Sequence, residues 1–395
     1  MVPRLAIVLS HPTQYYSPWF AYLAKLGGLE LRVFYLWDFG VTAQHDQKFG
    51  QSFQWDVNLV SGYDHEFVPN VASDPGTHHF TGLNNPGILS QIDNFAPAFL
   101  LLFGYRYQTH LRVIRAARKR GWKLIFRGDS HLLGHPPPAL PKRLLLKYVF
   151  SRFDAFLYVG EANRRYFKQF GAASGRLHFA PHTVDAERFS PLIAPAERAK
   201  LRHAIGVNND ELVVLFSGKM HPGKAPQDLL RALQKLDSKN TWLVLAGDGE
   251  QREILKREVG KLGLKSVKFL PFANQSEMPQ RYAIADLFVL PSTGLYETWG
   301  LAVNEAMHGS IPCIVSDRVG CHLDLIDQGK TGWVFPAGDV DALAQTLGAA
   351  LEALRNPAIK QRIQSAIADR INRYTYAQAS HGLQDAIRAL QQPSS

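Results

Sequence analysis

Short apolar runs alternate with amphipathic stretches along the chain. The run 4–9 (RLAIVL) leads through a polar turn at 11–17 into an amphipathic segment ending near Gly27, and 29–37 (LELRVFYLW) is the next run. Further runs stand at 98–103, 122–127, 155–159 and 177–180, and a second series at 212–217, 241–246, 267–270, 286–290, 311–315 and 332–335. Between them, 106–120, 225–236, 250–262, 276–284, 299–309 and 339–354 carry helical spacing. Short apolar runs bounded by turn residues read as buried strands. Their alternation with helices predicts parallel sheets covered on both faces.

The stretch 181–200 holds three prolines and no sustained strand pattern, so it reads as the connection between two Rossmann-like domains. The expected organisation is a first domain over 1–185, a second over 186–372, and a final helix (373–395, helical from about 376) packing back on the first. The expected fold is α/β, with two doubly wound domains facing a central cleft. Ligands in such sheets lie beyond the C-terminal ends of the strands, so the loops after strands are where chemistry is sought.

Composition narrows the class. A chain of 395 residues suits two domains at about 100–200 residues each. Apolar residues are 46% and charged residues 20%, which excludes a disordered chain. No window reaches the roughly 18 consecutive apolar residues of a membrane span. The N-terminal apolar run is too short for a secretory signal. With only two cysteines, Cys313 and Cys321, no disulfide framework or metal cluster is expected, and the expected location is the cytoplasm. The net charge is +10 and unevenly spread: residues 100–176 hold 16 basic and three acidic residues. Such a field attracts anions, whether nucleic acid, acidic lipid or phosphorylated ligand.

Three loops carry candidate chemistry. Residues 217–224 (SGKMHPGK) follow the run 212–217; Lys219 and Lys224 flank a glycine-bearing turn at Gly218, so both ammonium groups suit one diphosphate. The pattern is not a phosphate-binding P-loop, because Ala225 stands where Ser or Thr is required. Residues 246–250 (AGDGE), with Gly247, form a tight turn opening a helix. Residues 291–307 (PSTGLYETWGLAVNEAM) place Glu297 in a loop and Glu305 about two turns into the helix that follows. Free N–H groups at that helix start, Thr298 to Leu301, suit phosphate oxygens.

These residues resemble the retaining glycosyltransferases of family 4, which have the GT-B fold. The resemblance runs from about Val213 to Asp341 and comprises Gly218, Lys219 and Lys224, the turn at Gly247 and Gly249, the E-x7-E pair Glu297 and Glu305, and the sequence EAMHGSIPCI that follows. It implies that Lys219 and Lys224 hold the diphosphate of a nucleotide-sugar donor of UDP or GDP type. Glu305 would accept from the ribose, Glu297 would contact the donor sugar, and Phe272 would border the base. Thr298, Trp299, Gly300 and Leu301 would bind phosphate or sugar. The resemblance puts His131 at the family's active-site histidine, with His11, Gln14 and Asp129 toward sugar or acceptor; Asp129 is alternatively a partner of Arg127. It implies a metal-independent transfer to a glycan, lipid-linked or small-molecule hydroxyl with no cofactor beyond the donor, and no acidic metal triad is evident. The chain departs from the family at Lys219 (usually Arg), Ala225 (usually Gly), Thr298 and Trp299 (usually Gly-Phe), and in its first loop, which lacks a glycine pair.

A nucleotide-sugar 2-epimerase of the same fold remains an alternative. A nucleic-acid-binding protein is a more distant one, since no RNA-binding, helix-turn-helix or zinc pattern is present. The basic segment is open to two readings. Lys142, Arg143, Lys147 and Arg152 interleave with Leu144, Leu145, Leu146, Tyr148, Val149 and Phe150. This predicts either an amphipathic helix docking on the acidic inner face of a membrane or a solvated face over core leucines. No motif marks 38–96, which is loop-rich and aromatic.

Overall fold

The apolar runs become strands whose bounds follow the runs closely. The computed structural model describes residues 2–41, 44–46, 51–190, 194–236 and 240–392. Residues 42–43 and 47–50 of the motif-free stretch, and 191–193 of the connection, lie outside the described residues. In chain order the strands are β1 (Arg4–Leu9), β2 (Glu30–Tyr35), β3 (Gln44–Asp46), β4 (Gln51–Phe53), β5 (Asp64–Phe67), β6 (Phe99–Phe103), β7 (Lys123–Arg127), β8 (Ala155–Tyr158), β9 (Leu177–Phe179), β10 (Leu212–Ser217), β11 (Thr241–Ala246), β12 (Val267–Leu270), β13 (Leu287–Leu290), β14 (Cys313–Ser316) and β15 (Gly332–Phe335).

The chain divides into two units. Unit 1 comprises Met1–His131, Pro136–His182 and Tyr376–Ser395; unit 2 comprises Leu132–His135 and Thr183–Thr375. The tetrapeptide Leu132–His135, expected in the first domain, thus belongs to the second. His135 explains it: its Nε2 lies 2.9 Å from the carbonyl oxygen of Leu295. Among its described residues the connection carries no strand and contains the helices Ala186–Phe189 and Pro195–Ala204.

Unit 1 holds a seven-stranded sheet in the order β5-β2-β1-β6-β7-β8-β9, its pairs parallel. Because β1 lies between β2 and β6, the strand order reverses there. The buried faces of β1, β2 and β6 pack with Trp19, Phe20 and Leu23 of the helix Ser17–Leu26. The helix Tyr376–Gln391 completes this core with Ala379, Leu383, Ala386 and Ile387. It lies so close to β9 that a Cβ on Gly382 would come within 1.9 Å of the Phe179 carbonyl oxygen. Trp19 Nε1 donates to Ser380 Oγ at 3.1 Å in the same buried contact.

Unit 2 holds a six-stranded parallel sheet, β12-β11-β10-β13-β14-β15, which reverses between β10 and β13. One buried carboxylate ties it together. Asp286, just before β13, accepts from Arg198, Lys360 and the Val213 N–H, and pairs with the buried Arg202 guanidinium. Burial pushes its pKa up, but Arg202, Lys360 and Arg198 overrule this and hold it at about 2. No helix among the described residues is long and apolar enough to cross a membrane.

Candidate functional site

In unit 2 the loops after β10 and β13 flank the point where the strand order reverses, the position at which open α/β sheets bind ligands. The loop after β11 lies beside them. These loops interlock through main chain. Gly218 N–H donates to the Ala246 carbonyl (3.0 Å), Met220 N–H to Asp248 (2.8 Å), and the N–H groups of Thr293 and Gly294 both donate to the Gly223 carbonyl (3.0 and 2.9 Å). Gly247 makes the closest approach: its φ is +131°, and a Cβ there would stand 2.1 Å from the Gly218 carbonyl oxygen. Only glycine satisfies both conditions.

On this frame Lys224 forms an ion pair with Glu297, bridging the loops after β10 and β13. Ser292 Oγ donates to the same Glu297 Oε2 at 2.9 Å, fixing the carboxylate. Two residues that sequence reasoning passed over support the pair. His221 accepts from Gly223 N–H at Nδ1 (3.0 Å), and burial followed by the Lys224 charge holds its pKa below the usual histidine value. It is therefore neutral at pH 7 and stiffens the turn. Arg318 Nη1 donates to the Thr293 carbonyl at 2.7 Å. His221 was visible within the motif, whereas Arg318 lies after β14 in a segment with no recognisable spacing.

Glu305 is buried at 3% exposure, where Tyr282 OH donates to its Oε2 at 2.6 Å. The helix bearing it is Leu301–His308, shorter at its start than the expected 299–309. Gly300, at φ +92°, caps it; a Cβ there would lie 2.7 Å from Val319 Cγ1. Glu305 therefore sits about one turn in, not two, and Thr298 and Trp299 precede the helix. The Trp299 indole is buried, donates to Asn304 Oδ1 at 2.8 Å and packs beside Tyr374, which leaves residue 299 its main chain to present. Lys219 is half-buried in the loop with Gly218, and Phe272 is half-buried after β12.

The unit 1 candidates also follow strands. His11 comes after β1, against Trp37 and Phe39, with Nδ1 3.0 Å from Ser10 Oγ; burial lowers its pKa to about 4. Gln14 is half-buried in the same loop. His131 is buried and follows β7. Asp129 lies 3.4 Å from Nε2 of His182, a buried residue that sequence reasoning did not single out. Arg127, the alternative partner, feels the Asp129 charge, and its guanidinium also donates to the carbonyls of Ala180 (2.7 Å) and Pro181 (3.1 Å) beneath Trp19. Among the described residues, one cluster has metal-ligand spacing: Asp74, His78 and His79, in the loop after β5 and away from the residues above in sequence. Cys313 and Cys321 are free and buried, and burial pushes both thiols up.

Residues 197–368 match the family model of glycosyl transferases group 1. An uncharacterized glycosyltransferase of Methanocaldococcus jannaschii is 37% identical over 143 residues, 35% of this chain and 36% of that protein. A GDP-mannose-dependent alpha-(1-6)-phosphatidylinositol monomannoside mannosyltransferase of Mycolicibacterium smegmatis is 31% identical over 214 residues, 52% of this chain and 55% of the relative. The match to these curated relatives thus spans about half of their length or less. Among solved structures, HepE of Anabaena in complex with UDP superposes with a TM-score of 0.75 at 19% identity, covering 98% of this chain and 100% of that one. A glycosyltransferase of Rickettsia africae superposes at 0.76 with 15% identity, covering 99% of each. The two Rossmann-like units therefore have the GT-B glycosyltransferase fold, and the group 1 glycosyl transferase sequence pattern lies within the second of them.

Proposed function

We propose that this protein is a retaining, metal-independent glycosyltransferase that moves a sugar from a UDP or GDP sugar to a hydroxyl of a glycan, lipid-linked or small-molecule acceptor. The observation that carries this reading is the Lys224–Glu297 pair across the reversal point of the unit 2 sheet. An ammonium held there by a carboxylate that Ser292 in turn fixes is positioned before any anion arrives. Preorganised charge of this kind stabilises the negative charge that develops on a leaving diphosphate.

In this reading Lys219 and Lys224 neutralise the diphosphate, main-chain N–H groups from Thr298 to Leu301 add donors, and Gly218 and Gly247 permit close approach. Glu297 and Glu305 accept from sugar and ribose hydroxyls, and Phe272 borders the base. His131 touches the transferring sugar, while His11, Gln14 and Asp129 serve the acceptor. The acceptor hydroxyl attacks from the face the diphosphate leaves, and the departing phosphate takes its proton. The protein works in the cytoplasm, peripheral to an anionic membrane. UDP bound to HepE and the GDP-mannose dependence of the mycobacterial relative support a nucleotide-sugar donor.

A thermal-shift series over UDP, GDP and ADP sugars tests the donor site. One donor is expected to raise the melting temperature of the wild type and to leave Lys224→Ala and Glu305→Gln unmoved. Failure of every nucleotide sugar to stabilise the wild type, or equal stabilisation of both variants, overturns the reading.

A further inference from the structure

The helix Leu140–Phe150 presents an apolar stripe outward. Leu140, Leu144 and Tyr148 recur every four residues and share one face, and with Leu145 they are 58–65% exposed. Leu146, Val149 and Phe150, on the other side, pack into the core of unit 1. Arg143 and Lys147, both exposed, border the stripe. Scattered exposed leucines are ordinary, but four large apolar side chains on one short helix beside basic residues are the pattern of an interfacial helix.

The stripe does not end at the helix. Leu145 and Tyr148 form one lip of a groove of about 500 Å³, whose other wall is the helix Gln108–Arg120. Arg115, Arg118, Lys123 and Arg152 line it. Arg115, Arg118 and Lys123 make no side-chain hydrogen bond or ion pair with any described residue. Arg152 stands 4.4 Å over the Tyr148 ring, joining the basic wall to the apolar lip. The groove's one carboxylate, Asp154, is occupied: it accepts from Leu124 N–H at 2.7 Å. Lys123 opens β7 and Asp154 precedes β8, so the groove lies at the N-terminal ends of the strands, the end opposite the loop that carries Asp129 and His131.

We propose that this groove binds the phosphate of an anionic phospholipid within a bilayer, with Leu140, Leu144, Leu145 and Tyr148 seated at the headgroup boundary. Unpaired cations beside an outward apolar stripe match a ligand that is anionic and apolar within one molecule. A soluble phosphate leaves the leucines in water, and RNA leaves them without a hydrocarbon partner. The proposal rests on the membrane part of the functional reading and is independent of its donor part.

Vesicle flotation tests it. The full chain is mixed at low salt with vesicles of phosphatidylcholine, alone or with phosphatidylglycerol. Wild type is expected to float with the mixed vesicles only. Each cation near an anionic leaflet is worth about fivefold in partitioning, so the triple variant Arg115→Gln/Arg118→Gln/Lys123→Gln is expected to lose about a hundredfold. A control of equal charge change on exposed unit 2 residues, Arg257→Gln/Lys261→Gln/Lys265→Gln, is expected to stay within about twofold, and Leu144→Ser/Leu145→Ser to lose binding without changing net charge. Glycerol 3-phosphate is expected not to displace the protein from vesicles. If groove and control variants partition alike, the groove assignment fails while the membrane reading stands. If wild type does not float, both fail, and the donor thermal shifts are unaffected. Displacement by glycerol 3-phosphate, or a preference for an RNA oligonucleotide over the vesicles, also overturns the proposal.

Discussion

The two units solve the same problem, placing chemistry beyond the ends of parallel strands, with different materials. Unit 2 builds with backbone: its strand-end loops are laced together by N–H to carbonyl bonds, and a Cβ at Gly247 has no room. Unit 1 builds with side chains: Arg127, buried beneath Trp19 and Tyr16, holds the carbonyls of Ala180 and Pro181, while the His11 ring packs edge to face against Trp37 and Phe39, which stack on each other. A backbone-made site leaves a signature of glycines at fixed spacing. A side-chain-made site leaves a set of bulky residues that many sequences could replace.

Substitutions at each kind of support sharpen this contrast. The largest effect is expected at Gly247→Ala, where a left-handed backbone and a 2.1 Å approach combine to cost about 4 kcal/mol. Gly171→Ala in unit 1, at φ +98° with nothing within 4 Å, is expected to cost about 1–2 kcal/mol. Equal losses in urea denaturation would refute the role of close approach. Next comes Arg127→Met, which keeps the buried volume but orphans two carbonyls and is expected to cost about 3 kcal/mol. Wild-type stability would show that side chains do not hold unit 1 as described.

The smallest effect concerns His110, 1% exposed, with neither ring nitrogen hydrogen-bonded. Burial lowers its pKa to about 3, so the folded protein keeps it neutral. Its stability contribution is full above the unfolded value of about 6.5 and is lost as pH falls toward 3. His110→Leu is expected to stabilise by about 1 kcal/mol at pH 7 and to widen its lead by about 1.4 kcal/mol per unit below pH 6.5. Urea midpoints at pH 7 and pH 5 measure this, and an unchanged lead would contradict it.

The same contrast decides what was legible in the sequence. Strands β10, β11, β12 and β15 have the bounds their apolar runs predict, because nothing polar interrupts them. Strand β5 (DHEF) escaped notice: it is an edge strand whose residues are half-buried or exposed, so no apolar run marks it. The helix Pro357–Ile371 was missed because only Ile363, Ile367 and Ile371 are buried, a stripe too narrow to stand out among charged neighbours. Strand β14 begins at Cys313 and not at Ile311, since Pro312 has no N–H to give the ladder. Among candidate site residues, Lys224, Gly247 and Glu297 were readable because their spacing is fixed by backbone contacts. His182 and Arg318 were not, since each is brought in from a distant segment by the fold alone.

The helix Tyr376–Gln391 has a consequence for how the molecule is made. Its residues close the core of unit 1, yet they leave the ribosome only after the whole of 183–375. Unit 2, nearly continuous in sequence, has its core complete on the emerging chain first, while unit 1 waits with Trp19 and its neighbours uncovered. The first unit to be synthesised is thus the last to be sealed, and its sealing requires contacts about 360 residues apart in the chain, such as Trp19 with Ser380.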